Sequence, residues 1–116
     1  MTAIGSRKGA EQLDLEEALM PIKVVVEFQA KPGARAELKI LLANISATHG
    51  SKAPGFLGST QYEMLDSPDG LVEIAEWESA EAQAAAVEQA TVTGVYAPVI
   101  ELVAAPFRAT RIGHPS

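Results

Sequence analysis

Between Ile22 and Thr48 the spacing of the apolar residues changes, and the change falls at Pro32-Gly33. Before it, Ile22, Val24, Val26 and Phe28 alternate with Lys23, Glu27 and Gln29. Only Val25 breaks this period of two, so the segment from about 22 to 30 reads as a strand with one buried face. After it, Leu38, Leu41, Leu42 and Ile45 fall at i, i+3, i+4 and i+7, the single apolar stripe of a helix over about 34 to 48. His49-Gly50 closes that helix, with Gly50 placed to take a left-handed cap.

The second half repeats the theme with an added hairpin. Pro54-Gly55 opens a strand over about 56 to 65, in which Phe56, Gly58, Thr60, Tyr62 and Met64 are expected on one face. Asp66-Ser67-Pro68-Asp69-Gly70 is a turn signal, with Pro suited to the second turn position and Gly to the last. A third strand follows over about 71 to 78, which makes the pair a hairpin. Ser79 is the expected N-cap of an alanine-rich helix over about 80 to 90, with Glu81 in its first turn. Residues 91–94 interrupt that helix. Pro98 suits the first turn of a short helix carrying Val99, Leu102 and Val103, and residues 106–112 form a last, edge strand.

The order β-α-β-β-α-(α)-β is the split βαβ, or ferredoxin-like, plan: an α+β fold whose antiparallel sheet carries its helices on one face. The expected domain covers residues 22–113. Residues 1–21 form an extension that is either a tail or a short helix, since Leu13, Leu15 and Leu19 sit beside Glu16 and Glu17, and residues 114–116 are a tail. The sheet face away from the helices is expected to carry Val25, Ala75 and Trp77. Such a face is too apolar to stay bare, so a homodimer pairing through it is expected.

Composition narrows the function classes. The chain has 116 residues, enough for one domain with a modest core, and 47% of them are apolar. Cysteine is absent, which excludes disulfides and cysteine metal sites and fits a cytoplasmic home. The net charge of −6, with nine scattered basic residues, argues against nucleic acid as a partner. No apolar run reaches the roughly 20 residues of a membrane helix, so no membrane role is expected. Two histidines without a neighbouring carboxylate motif give no metal site.

Several short pieces carry a resemblance in their order and spacing. They are Val24-Val25-Val26-Glu27-Phe28 before Lys31-Pro32-Gly33, then Pro54-Gly55-Phe56, then Glu76-Trp77-Glu78-Ser79 opening the alanine-rich helix, and Tyr96 before the last helix. Over about 23 to 113 the chain resembles the antibiotic biosynthesis monooxygenase family of dimeric α+β barrels. The resemblance implies a homodimer with a pocket between sheet and helices. It also implies oxidation of a small phenol- or quinol-like aromatic by molecular oxygen, with no flavin or metal cofactor. Two positions depart from the family's pattern: Ala75 stands where a carboxylate is frequent, two residues before the Trp, and Ala86 where a histidine is frequent, nine residues after it. The second departure disfavours the family's haem-degrading branch. Both leave open an alternative, a non-catalytic dimeric module that binds a small ligand or a partner.

Trp77, Tyr62, Glu76 and Arg108 are the candidate catalytic residues, and Phe28, Tyr96 and His49 the candidate pocket residues. Trp77 suits either an aromatic pocket wall or core packing. Tyr62 suits a donor to a substrate oxygen or a half-buried strand tyrosine. His49 is a helix-end cation or a base near neutrality. Glu73 and Glu76 occupy opposite faces of one strand, and whichever points inward has a raised pKa and suits a base. Arg108 and Arg111 also alternate, and one of them is expected to reach an anionic oxygen at the pocket mouth.

Overall fold

The computed structural model describes residues 20–113. The expected N-terminal extension up to Leu19, and the tail from His114, lie outside the described residues. The elements run β1 (Ile22–Gln29), α1 (Arg35–Thr48), a 3₁₀ turn (Gly50–Lys52), β2 (Phe56–Glu63), β3 (Gly70–Trp77), α2 (Ala80–Thr93), α3 (Ala97–Leu102) and β4 (Arg108–Ile112). The four strands form one antiparallel sheet in the order β2-β3-β1-β4, and the α+β ferredoxin-like plan read from the sequence is the fold observed.

Local chemistry sets most of the boundaries. Gly70 N–H donates to Ser67 C=O at 3.1 Å, so Pro68 sits at the second position of the hairpin turn, where its fixed φ is useful. Ser79 caps α2 by accepting from Ala82 N–H at 3.0 Å. The α2 helix runs past the expected break, because the Thr91 and Thr93 hydroxyls donate back to the carbonyls of Val87 and Gln89 and do not compete with the helix. The break comes at Gly94, whose φ of 69° is the left-handed cap that residues with a Cβ resist. Gly50 does not take such a conformation. The chain after α1 tightens instead into the 3₁₀ turn, with Ala53 N–H donating to Gly50 C=O at 2.9 Å. β4 begins at Arg108, two residues after Pro106, which has no N–H for the ladder.

The β1–β3 register decides what the helices cover. Ile22 lies opposite Trp77, Val24 opposite Ala75, Val26 opposite Glu73 and Phe28 opposite Leu71. Directly opposed residues share a face, so Trp77, Ala75, Glu73 and Leu71 lie under the helices with Val24 and Phe28. The expectation that Ala75 and Trp77 occupy the open face is therefore corrected; the open face carries Val25, Val72 and Ile74 instead. The parity of β2 also differs from the expectation. A bulge between Phe56 and Gly58 inserts one residue, which turns Phe56 toward the helices while Gly58, Thr60 and Tyr62 stay on the open face.

The core occupies only one half of the helix-covered face. Phe28, Leu38, Leu42, Leu71, Val99 and Val103 are buried together, and Phe107 packs on Phe28 with ring centroids 4.8 Å apart. Burying each of these aliphatic side chains contributes about 1.5–3 kcal/mol. α1 and α3 press on this half. Arg35, in the first turn of α1, ties the β2–β3 turn down by donating to the carbonyls of Ser67 (3.0 Å), Gly70 (3.3 Å) and Met64 (3.4 Å). Over the other half lies α2, whose only buried residue is Gln83.

Removing the partly buried Arg35 takes a charged donor from three carbonyls at once, although those of Ser67 and Gly70 keep a backbone N–H. R35A is expected to lower stability by about 2 kcal/mol in urea unfolding. K39A, which cuts the surface pair from Lys39 Nζ to Glu63 at 2.8 Å, is expected to change it by no more than about 0.5 kcal/mol.

Candidate functional site

α2 carries alanine at 80, 82, 84, 85, 86 and 90. Methyl groups cannot span the gap between a helix and a sheet that a Leu or Phe would fill, and Ala75 and Ser59 on the sheet below are small as well. A cavity of about 970 Å³ results, bounded by β1 and β3 on its floor, α2 above and the end of α1 at one side. Its size is that of sites holding small organic ligands. Close approach at one corner comes from Gly55 (φ 86°). A Cβ there would lie 2.6 Å from the Ala82 Cβ, and the Gly55 carbonyl accepts from Glu78 N–H at 2.8 Å. That contact sets the start of α2 against the start of β2 and fixes the cavity's width.

Trp77, the single tryptophan, forms one wall. It is buried, and Phe56 packs edge-on against it with centroids 5.1 Å apart and planes at 63°, an arrangement favoured by the ring quadrupoles. The bulge in β2 is what brings Phe56 to this side. Val24, Val26 and Phe28 complete an apolar floor. His49 and Lys52, both exposed, stand with Glu78 at the rim.

Three polar groups project into this mostly apolar space. Glu73, in the middle of β3, has its Oε2 buried with no hydrogen-bond partner. Loss of solvent pushes its pKa up, and the amide of Gln61, its register partner on β2, only partly opposes the shift. Tyr96, the N-cap of α3, lines the cavity while remaining 39% exposed; partial loss of solvent raises its phenol pKa and the charge of Glu73 raises it further, so it stays protonated. Gln83, 6% exposed on α2, also has a buried Oε1 without a partner. A carboxylate in such surroundings holds a proton more readily than one in water, which makes its ionised form a stronger proton acceptor.

The seven residues singled out from the sequence divide between the two sheet faces. Trp77, Phe28, Tyr96 and His49 meet at the cavity. Tyr62, Glu76 and Arg108 do not; strand alternation puts all three on the opposite face, where Tyr62 is 53% exposed on one edge strand and Arg108 lies on the other. Glu76 is exposed and sits 3.9 Å from Lys23, its cross-strand neighbour. Of the two alternating glutamates, Glu73 is the one that points inward. Gln83 was not among the sequence candidates. Its signal is a long polar side chain on the Ala82–Ala86–Ala90 side of an otherwise small-residue helix. Among the described residues no three His, Asp or Glu side chains gather as metal ligands.

The strain at Glu73 has a definite pH signature. Its folded pKa lies above the unfolded value, so the folded state keeps a proton in a window where the unfolded chain has lost it. Stability therefore falls as pH rises through that window, and the full cost is present above it. E73Q is expected to be more stable than the parent protein above the ordinary glutamate range and to lose that advantage in more acidic solution. Urea titrations across pH 3 to 9 test this. A variant less stable at neutral pH would mean that the carboxylate is satisfied by a partner.

A family model described as antibiotic biosynthesis monooxygenase matches residues 21–94. No curated protein matches the chain significantly in sequence. Among solved structures, SnoaB, a cofactor-independent oxygenase from Streptomyces nogalater, aligns with a TM-score of 0.71 at 22% identity, over 84% of this chain and 95% of its own. Rv0793 from Mycobacterium tuberculosis aligns with a TM-score of 0.68 at 24% identity, over 83% and 96% respectively. A conserved protein from Methanosarcina mazei aligns at 0.69 and 17% identity, over 84% and 96%. At these identities the structural likeness establishes the fold. The family model, which spans more than half of the chain, establishes the kinship: the chain belongs to the antibiotic biosynthesis monooxygenase family.

Proposed function

We propose that the protein is a cofactor-independent monooxygenase that takes a small electron-rich aromatic, of phenol or quinol type, into the cavity under α2. The observation that carries this reading is the partnerless carboxylate oxygen of Glu73 inside an apolar chamber walled by Trp77. Family membership and the likeness to SnoaB support the reaction class.

The chemistry asks little of the protein beyond a base and a dry space. Glu73 removes a proton from the phenol O–H, or from the ring methylene of its keto tautomer as in an anthrone, and either loss gives the same delocalised anion. The resulting anion passes one electron to dioxygen, and the radical pair couples to form a C–O bond. The peroxide takes a proton back, then loses water as its O–O bond and the remaining C–H bond at that carbon break. One oxygen atom remains as a carbonyl and the other leaves as water, so the substrate's two lost hydrogens and dioxygen balance. Exclusion of water keeps the anion reactive, and the protonated Tyr96 phenol is a donor for its developing oxyanion. Trp77 and Phe28 hold the ring.

Tyr62, Glu76 and Arg108 take a different role in this reading. They share the open face with Val25, Val72 and Ile74, and we assign that face to pairing with a second copy. A binding module without turnover is the second reading, favoured by the alanines at 75 and 86. It predicts ligand binding with no oxygen consumption.

Oxygen uptake with a panel of hydroquinones and anthrones tests the proposal. Turnover is expected in the presence of chelator and without added flavin. E73Q is expected to lower kcat by about 100-fold or more, the usual contribution of a general base, while substrate binding persists. No oxygen uptake across the panel would overturn the enzyme reading. Sedimentation of I74E, which places a charge in the open face, is expected to show a monomer where the parent protein is a dimer.

A further inference from the structure

Gln83 is the one polar side chain that α2 buries, and it faces the cavity floor across the gap left by the alanines. It forms no side-chain hydrogen bond with any described residue, and its Oε1 is sealed from solvent. A buried amide oxygen without a donor costs stability, and an apolar residue of the same length would avoid that cost. Its backbone N–H already belongs to the first turn of α2, donating to Ser79 C=O at 3.2 Å, so the helix does not need the side chain. The group is therefore idle in the fold and available to a ligand.

Glu73 on the floor and Gln83 on the roof belong to different elements, both line the cavity, and each has a buried oxygen without a protein partner. They stand on opposite walls of the cavity, so a ring lying between them can meet each with a different substituent. We propose that Gln83 is a specificity-determining residue: the ligand carries two separate oxygen substituents on an aromatic ring system, one at Glu73 and the second at Gln83. The amide turns about its last torsion and presents either its carbonyl or its NH₂. It therefore holds the second substituent as a hydroxyl or as a carbonyl, which suits a ligand whose oxygens change between those forms on oxidation. An aromatic with a single hydroxyl leaves one buried polar group unpaired and is disfavoured, in the way that polar sites reject analogues lacking the matching group.

This inference rests on the cavity being the ligand site, and its test needs no turnover. Calorimetric titrations under argon compare 1- and 2-naphthol with the 1,4-, 1,5-, 2,6- and 2,7-dihydroxynaphthalenes, which share one ring system. In the parent protein at least one diol is expected to bind about tenfold or more tighter than either naphthol. In Q83L and Q83M that advantage is expected to vanish, while naphthol affinities change by no more than about twofold. Both variants are also expected to unfold at higher urea concentration than the parent, because an unsatisfied buried amide is gone. A diol preference that survives in both variants, or no preference in the parent, overturns the proposal. Variants that are less stable than the parent also overturn it, since they would show that Gln83 serves the fold. A diol preference without oxygen uptake upholds this inference while sinking the oxygenase reading, so the two failures are distinguishable.

Discussion

The pairing of β1 with β3, Ile22 opposite Trp77 through Gln29 opposite Gly70, is the contact on which the other features depend. Both are central strands, so their shared face becomes the floor for all three helices. A slip of one residue in this register would exchange the two faces of one strand. Trp77 and Glu73 would then lie on the open side, and Glu76 would face the helices. The slip is resisted at the far end of the pair, where Phe28 and Leu71 are nearly sealed in the core with Leu38 and Leu42. The apolar half of the floor thus fixes the alignment of the half that holds the site.

That division of labour explains why a small domain tolerates a cavity and two unsatisfied polar atoms. The core half concentrates its fully buried side chains, Leu38, Leu42, Leu71 and Val99, between the sheet and two helices. The cavity half gives up dispersion contacts because α2 brings methyl groups where larger side chains would fit. It also bears the desolvation of Glu73. The same loss of solvent that makes Glu73 costly to ionise makes it a stronger proton acceptor, so the destabilisation and the raised proton affinity have one physical cause.

The sequence made the plan of the fold legible because its signals are local. Pro68 at its turn, Ser79 at its cap and Pro98 in the first turn of α3 each act on neighbouring backbone groups, and each is found in that role. Sidedness was less legible because it is not local. Whether Trp77 shares a face with Val24 depends on how two strands forty or more residues apart align, and no period within either strand encodes that. The bulge at Leu57–Gly58 reverses Phe56 by adding one residue, which an alternation pattern cannot distinguish from a regular strand. Hence Trp77, Phe28, Tyr96 and His49 converge as a pocket, whereas Tyr62, Glu76 and Arg108, chosen on their own strands, fall on the other side.

Ala75 and Ala86 gain a physical meaning from this arrangement. Both line the cavity, one on the floor and one on the roof, so the two positions that the family resemblance marks for polar groups are here part of the empty volume. The chamber still holds polar side chains. They stand two residues before Ala75, at Glu73, and three residues before Ala86, at Gln83. A step of two along a strand keeps the same face, and a step of three along a helix keeps nearly the same side. Both shifts therefore preserve the direction in which the group points while moving it along the cavity. In the proposed reading, a ligand between Glu73 and Gln83 lies with its ring over the space that the two alanines leave open.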